Sequence, residues 1–226
     1  MKIVFEAVLL YLGLPAVLAF APQWVERSFG IRVNAWVIPV LLFAGAVATL
    51  YLKTAGLLKR GEFLRLKGVT ARDWRMMFLR FFACALLLTS LLALHRPDWL
   101  LSFPRRSPGF WLFVCAAYPV VSVMPQGVLY RALWEKRYAR ALPRTASLVL
   151  GAVFFAWAHI VFRNVWACAF TFVGGLFFLS SYRRTGSLLF SGIEHALYGD
   201  FIFTIGWGAF FYEGTQAAIR SAASLP

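Results

Sequence analysis

The sequence is poor in acidic residues. Its 226 residues include 9 Asp and Glu against 23 Lys and Arg, which gives a formal net charge of +14 at pH 7. In a soluble protein this excess would indicate nucleic-acid binding, but no recognition module is visible and the basic residues cluster between apolar segments. The charge therefore predicts contact with the anionic cytoplasmic face of a membrane, and no nucleic-acid partner.

Cysteine is also scarce, and the three cysteines lie in separate apolar segments without a CxxC pair. An odd number of scattered cysteines argues against a disulfide framework and against a cysteine zinc cluster. Two histidines and a carboxylate can bind zinc, and His159, His195 and Asp200 would supply that set. No HExxH-like spacing supports such a site, so the sequence predicts neither a metal nor another cofactor.

What the sequence has in abundance is apolar surface. Hydrophobic residues make up 61% of the chain and the mean hydropathy is +0.72. This composition is typical of an integral membrane protein, and it predicts one membrane domain over residues 1–226. A spanning helix needs roughly 20 mainly apolar residues. About seven spans are predicted on this basis: 3–23, 34–52, 76–95, 109–134, 146–162, 165–181 and 187–211.

The first of these spans also resembles a signal peptide, since Lys2 precedes an apolar run that ends in Ala19-Phe20-Ala21. Glu6 and Pro15 inside the run favour a retained helix. The loops on one side of the seven spans carry about twice as many Lys and Arg as those on the other. This bias predicts a cytoplasmic N-terminus. The apolar spans predict an all-α polytopic bundle, because helices satisfy their own backbone hydrogen bonds in lipid.

Ionisable residues inside the predicted spans mark the candidate site, because hydrocarbon does not tolerate an unpaired charge. A structural hydrogen bond between helices is the alternative for any one of them. Their grouping favours a polar cavity among the fourth, fifth and seventh spans. The polar residues concerned are Glu6, Arg131, His159, Glu194, His195 and Asp200, with Gln126 close to Arg131 in the chain.

The geometry of an ideal α-helix predicts which of these side chains lie on the same face of a helix. Gly127 and Arg131 are four residues apart and share a face, while Gln126 is rotated from Arg131 by about 140°. Glu194 points about 100° away from His195. Glu194 therefore needs a partner on another helix or in a water-filled cavity.

Three short motifs occur in order on these spans: MPQGVLYRALW at 124–134, FAWAH at 155–159 and EHALYGD at 194–200. With the flanking text RTGSLLFSGIEHALYGDFIFTIGWG, they resemble the CPBP or Abi family of intramembrane glutamic endopeptidases. That family includes type II CAAX prenyl proteases and bacteriocin-processing relatives, and it carries EExxxR, FxxxH and HxxxN on successive helices. The resemblance covers roughly residues 110–212.

The chain departs from the family pattern at its acids. Arg131 fits the first motif, but the two glutamates fall on Gln126 and Gly127, and the asparagine of the third motif falls on Gly199. The spacing is also similar to a bacterial subgroup that reads PQE, three residues, then YR, and keeps only the second glutamate. That similarity predicts a multi-pass protein of a bacterial inner membrane.

The resemblance implies an endopeptidase that acts on a membrane-associated protein or peptide, in contact with membrane lipids. In the family, a glutamate and a histidine activate water, and the remaining His and Asn positions stabilise the oxyanion. Gln126 has no useful basicity and can only orient water or donate a hydrogen bond. Glu194 is the first candidate for a substitute base, and a neutral histidine is another. The candidate catalytic set is His159, His195, Arg131, Gln126 and Glu194.

A catalytically silent relative that binds a membrane protein or lipid is the alternative function. Without the motif glutamates, Arg131 needs another anion, which Glu6, Glu194 or Asp200 could supply. A lipid headgroup or a substrate carboxylate could also do so, because an arginine fork matches carboxylate and phosphate. The approach of a carboxylate to His159 or His195 discriminates between the two functions. A small transporter would need an inverted repeat, and the sequence has none.

Overall fold

The computed structural model describes residues 2–20, 36–58 and 61–211 of the chain. Within those ranges every regular element is a helix. Short helices at Glu62–Leu64, Pro97–Trp99, Ser102–Arg106 and Trp207–Phe210 connect or follow the long ones. The long helices are α1 (Lys2–Phe20), α2 (Val37–Thr54), α3 (Ala71–His95), α4 (Pro108–Ala141), α5 (Arg144–Phe162), α6 (Val165–Thr185) and α7 (Leu188–Ile205).

Six of the described helices, α1 to α6, are long and apolar enough to cross a membrane. The predicted polytopic helical bundle is therefore confirmed. The seventh predicted span corresponds to α7, an 18-residue helix that carries Glu194, His195 and Asp200 and is not among those six. Parts of the first and second predicted spans, among them Ala21 of the signal-like sequence, lie outside the described residues.

The first helix is packed into the bundle through two polar contacts. Tyr11 is 1% exposed, stacks on Phe154 and donates its hydroxyl to the backbone carbonyl of Leu129, 2.9 Å away. The Trp157 indole donates to the carbonyl of Leu12 at 3.0 Å. These contacts join α1 to α4 and α5.

Helix α4 contains π-helical segments at Pro119–Val123 and Val128–Tyr138. The prolines in this helix lack a backbone N–H, which favours such local rearrangement. In a π-helix the hydrogen bonds join residues five apart. The wider turn reduces the rotation between residues five apart below the value of about 140° for an ideal α-helix, and Gln126 and Arg131 line the same recess.

Small residues let the helices that carry the motifs approach closely, as is usual between membrane helices. A Cβ added to Gly45 of α2 would lie 2.7 Å from the Cβ of Pro125 in α4. A Cβ added to Gly175 of α6 would lie 3.1 Å from the Cα of Ala152 in α5. The two glycines therefore fix how near α2 and α6 come to the helices of the candidate site.

The scarce acids are nearly all used in ion pairs. The acids in the described ranges are Glu6, Glu62, Asp73, Asp98, Glu135, Glu194 and Asp200. Six of them pair with Arg137, Lys136, Arg184, Arg96, Arg183 and Arg80, respectively. Asp200 is the described acid without an ion pair. Little negative charge therefore remains for the candidate site.

Replacing Gly206 with alanine is expected to destabilise the end of α7 by about 1–3 kcal/mol or more. Gly206 has a φ of +128°, and an added Cβ would collide with the backbone carbonyl of Trp99. The adjacent hydrogen bond from the Leu101 amide to the Ile205 carbonyl, 2.9 Å long, would be disrupted as well. Thermal unfolding of the purified protein in detergent would measure the loss.

Gly109→Ala is the matched control, because Gly109 lies in α4 and nothing surrounds its missing Cβ within 4 Å. Alanine should be neutral or stabilising there, since it has the higher helix propensity. Equal effects of the two substitutions would contradict the role given to the backbone of Gly206.

Candidate functional site

Arg131 lies inside the bundle, with 3% of its surface exposed. Its terminal nitrogens donate to two backbone carbonyls, Nη2 to Val123 at 3.2 Å and Nη1 to Ser191 at 3.4 Å. Its Nε is buried and has no hydrogen-bond partner. None of the acids in the described ranges forms an ion pair with it. The anion that the sequence led us to expect beside Arg131 is therefore not Glu6, Glu194 or Asp200.

The Arg131 guanidinium folds back over Gly127. A Cβ added to Gly127 would lie 3.1 Å from Cζ and 3.2 Å from Nε of Arg131. The arginine thus occupies the space in which a side chain at position 127 would begin. This packing depends on glycine, because any larger residue there would require the guanidinium to move.

Gln126 and Arg131 line one narrow recess between α4, α5 and α6. The Gln126 amide nitrogen donates to Ser122 Oγ at 2.7 Å, and the amide oxygen is buried without a partner. The recess has room for about one water molecule. The other residues that line it are Tyr130, Gly151, Phe155, Gly175, Phe178 and Leu179. Its third wall is therefore α6, whereas the sequence led us to expect α7.

The two motif histidines both pack against the Phe155 ring. The ring centroids of Phe155 and His159 are 4.8 Å apart, and those of Phe155 and His195 are 5.4 Å apart. His195 also stacks on Phe178, with 4.5 Å between centroids. The structure thus brings Arg131, Gln126 and both histidines around one aromatic pair.

His159 is held by a backbone carbonyl of its own helix, α5. Its Nδ1 lies 2.7 Å from the backbone carbonyl of Phe155. A carbonyl only accepts, so Nδ1 carries a proton and donates it. In the neutral ring, Nε2 is then the nitrogen with a lone pair.

His195 is held between Arg131 and Tyr118. Its Nδ1 lies 3.5 Å from Arg131 Nη1 and its Nε2 lies 3.0 Å from the Tyr118 hydroxyl. A guanidinium only donates, so Nδ1 accepts and Nε2 carries the proton, which it donates to the tyrosine oxygen. Both nitrogens of this histidine are therefore engaged by protein groups.

Tyr118 is a site residue that the sequence did not reveal. A Cβ added to Gly199 would come within 2.6 Å of Tyr118 Cζ. The tyrosine ring thus fills the space beside Gly199, the position at which the resembled family has asparagine. The one sequence signal for it was the glycine itself, which leaves room for a side chain from a neighbouring helix.

Glu194 points to a different face of α7 from His195, because neighbouring residues in an α-helix are about 100° apart. It is fully buried, and its Oε1 accepts from Arg80 Nη2 at 2.8 Å. The same nitrogen also donates to Ser181 at 3.1 Å. The expectation that Glu194 needs a partner on another helix is confirmed. Arg80, which is on α3, is a second residue whose role the sequence did not reveal.

The remaining two acids are also apart from the histidine rings. Glu6 pairs with Arg137 near the ends of α1 and α4. Asp200 has a buried oxygen without a hydrogen-bond partner, and it is near enough to Tyr118 and Cys115 to act on them electrostatically. Neither residue forms a hydrogen bond with His159 or His195. In the part of the chain that the structure describes, no three His, Cys, Asp or Glu side chains form a group suited to a metal ion.

Comparison with known protein families identifies the part of the chain that carries the three motifs. Residues 107–199 match the family model of the type II CAAX prenyl endopeptidase Rce1-like proteins. The chain carries a CAAX protease-like segment. This Rce1-like segment begins just before α4 and ends at Gly199 in α7. It includes the first two motifs and all of the third except Asp200, so the predicted resemblance is confirmed. No curated protein and no solved structure gives a match to the chain.

Proposed function

We propose that this chain is a catalytically silent CAAX protease-like membrane protein, which binds a membrane-embedded protein or lipid without cleaving it. The observation that carries this proposal is the packing of Arg131 on Gly127. In the resembled family this position belongs to the motif glutamates, and a carboxylate is needed to take a proton from water. Here the space holds a guanidinium, which cannot act as a base.

The distribution of the other acids supports the same function. Glu194, the first candidate for a substitute base, accepts a hydrogen bond from Arg80, and Glu6 pairs with Arg137. The recess beside Gln126 and Arg131 has room for about one water molecule, which is too small for a peptide segment. The site therefore resembles a closed polar core more than an open substrate cleft. By its similarity to the bacterial subgroup, we assign the protein to a bacterial inner membrane.

An active endopeptidase is the second candidate, and one observation favours it. His159 presents a lone pair at Nε2, because its Nδ1 donates to Phe155. A neutral histidine of this kind could take the proton from water while the Gln126 amide orients that water. The loss of the carboxylate would still lower the rate by about a hundred- to ten-thousand-fold.

Peptide cleavage by the reconstituted protein separates the two candidates. We expect liposomes that contain the wild-type chain to cleave a fluorogenic prenylated CAAX peptide no faster than liposomes that contain the His159→Ala/His195→Ala double variant. The physical reason is that neither form contains a carboxylate positioned to activate water. Cleavage would be followed by fluorescence and by mass spectrometry of the products.

A helical leader peptide would be tested beside the CAAX peptide, because the resembled family acts on both kinds of substrate. Wild-type cleavage that the double variant lacks would overturn the silent function and establish the endopeptidase. Cleavage of equal rate in both forms would come from a contaminant, and would leave the silent function standing.

A further inference from the structure

Within the described residues, the bundle contains a buried cation that no carboxylate contacts. The guanidiniums of Arg80 and Arg131 lie on spanning helices, and α7 brings two carboxylates into the bundle, those of Glu194 and Asp200, of which Asp200 forms no ion pair with either arginine. Glu194 is bonded to Arg80 and acts on Arg131 only at longer range. One cation of the core is therefore left without a carboxylate in contact with it.

That cation is Arg131, and its present contacts do not neutralise it. It donates to two carbonyls at 3.2 and 3.4 Å, and its Nε has no partner although it is buried. Backbone carbonyls satisfy hydrogen bonds but carry no net charge. Leaving a guanidinium uncompensated in a membrane interior is expensive, so such groups are paired in stable proteins.

The recess beside Arg131 has the dimensions and the lining of a small anion site. Gln126 and Arg131 supply its polar side chains, and the remaining lining is largely apolar. The Gln126 amide nitrogen gives one of its two hydrogens to Ser122 Oγ and so keeps a second donor, while the amide oxygen, an acceptor, has no partner. The recess has room for about one water molecule, which matches a halide ion or the end of a carboxylate and excludes a phosphate ester with its substituents.

We propose that Arg131 and Gln126 bind a small monoanion, either a halide or a carboxylate group. The guanidinium would supply charge and donors, including its unpartnered Nε, and the second hydrogen of the Gln126 amide nitrogen would supply a further donor. Carboxylates and halides bind to groups of this kind. This inference rests on the proposed function, since an active relative would carry its own carboxylate at this place. It adds to that function the class of ligand that the core recognises.

The thermal stability of the purified full-length protein in detergent tests this proposal. The probes are sodium chloride and sodium acetate, each compared at equal ionic strength with sodium isethionate, whose anion is too bulky for the recess. A ligand that binds the folded state alone raises its stability. We expect a Tm higher by about 5–10 °C in saturating chloride or acetate than in isethionate.

Three variants make the result specific. Gln126→Glu places a carboxylate inside the recess, so its Tm should be high in isethionate and should not respond to added anions. Arg131→Met removes the charge and should also abolish the response. Arg96→Gln is the matched control, because Arg96 is exposed and pairs with Asp98 outside the bundle. It should respond as the wild-type does.

The outcomes separate the sources of the anion and the two proposals. A response to chloride alone assigns the site to a halide, and a stronger response to acetate, extended by decanoate, assigns it to a lipid or peptide carboxylate. The same Tm in all salts for the wild-type, or the same response in Gln126→Glu, would overturn the anion site. Peptide cleavage by a wild-type protein that also responds to anions would overturn only the silent function.

Discussion

A glutamate at Gly127 is expected to create peptide hydrolysis in this chain, at a rate about a hundred- to ten-thousand-fold above the wild-type background. The substitution returns a base to the position of the second motif glutamate, while the two histidines and Arg131 are already in place around Phe155. The assay is cleavage of the fluorogenic CAAX and leader peptides by the reconstituted variant.

Steric conflict at position 127 does not prevent this result. The atoms that an added Cβ would meet belong to the guanidinium of Arg131, the far end of a flexible side chain. The guanidinium can move off the glycine and pair with the new carboxylate, which compensates a charge that now contacts only carbonyls and His195. We therefore expect Gly127→Glu to fold and to gain an ion pair.

Gly127→Gln is the control for this gain, because it has nearly the same shape and no basic group. It should displace Arg131 in the same way and remain without activity. Adding His159→Ala to Gly127→Glu should remove the new activity. If Gly127→Glu folds but shows no turnover, the missing glutamates are not the sole reason for the lack of activity. The Tyr118 ring, which fills the space beside Gly199, is then the next candidate for the cause.

Replacing Glu194 with alanine is expected to destabilise the folded protein by about 3–5 kcal/mol. The side chain is fully buried and its Oε1 accepts from Arg80 at 2.8 Å. Alanine would leave Arg80 among apolar side chains with Ser181 as its remaining interhelical hydrogen bond. Denaturant or thermal unfolding in detergent would give the difference in the free energy of unfolding.

Asp98→Asn is the matched control, because the Arg96–Asp98 pair has a similar distance, 2.9 Å, but lies exposed at the short helix Pro97–Trp99. Exposed pairs contribute little to stability, so this variant should unfold as the wild-type does. Glu194→Gln should lie between the two, since its amide oxygen can still accept from Arg80. An unfolding free energy for Glu194→Ala equal to that for Asp98→Asn would show that the buried pair does not hold α3 to α7.

Glu194→Gln also tests the prediction that Glu194 is a substitute base. In the Gly127→Glu background, a base at position 127 would make Glu194 dispensable for the chemical step. Turnover should then fall only as far as stability does. A complete loss of turnover at unchanged stability would give Glu194 a catalytic role despite its bond to Arg80.

The sequence by itself determined the class of this protein and the location of its site. In lipid every backbone polar group must be satisfied within the protein, and apolar runs of about 20 residues achieve this as helices, so a polytopic bundle follows from the composition and the lengths of the runs. Polar residues in spans are costly, which is why Arg131, His159 and His195 stood out in the sequence and do lie around one aromatic pair. The sequence also shows directly that Gln126 and Gly127 stand where the resembled family has its two motif glutamates.

The tertiary structure decided which groups these residues meet. Sequence spacing assumes an ideal α-helix, and the π-helical segments of α4 change the rotation between positions 126 and 131. The partners of Glu194 and His195 lie on helices distant in sequence, 114 residues away for Arg80 and 77 for Tyr118, so no local pattern could predict them. Side-chain packing also decided what occupies the space beside each glycine. Arg131 fills the space at Gly127, and Tyr118 fills the space at Gly199.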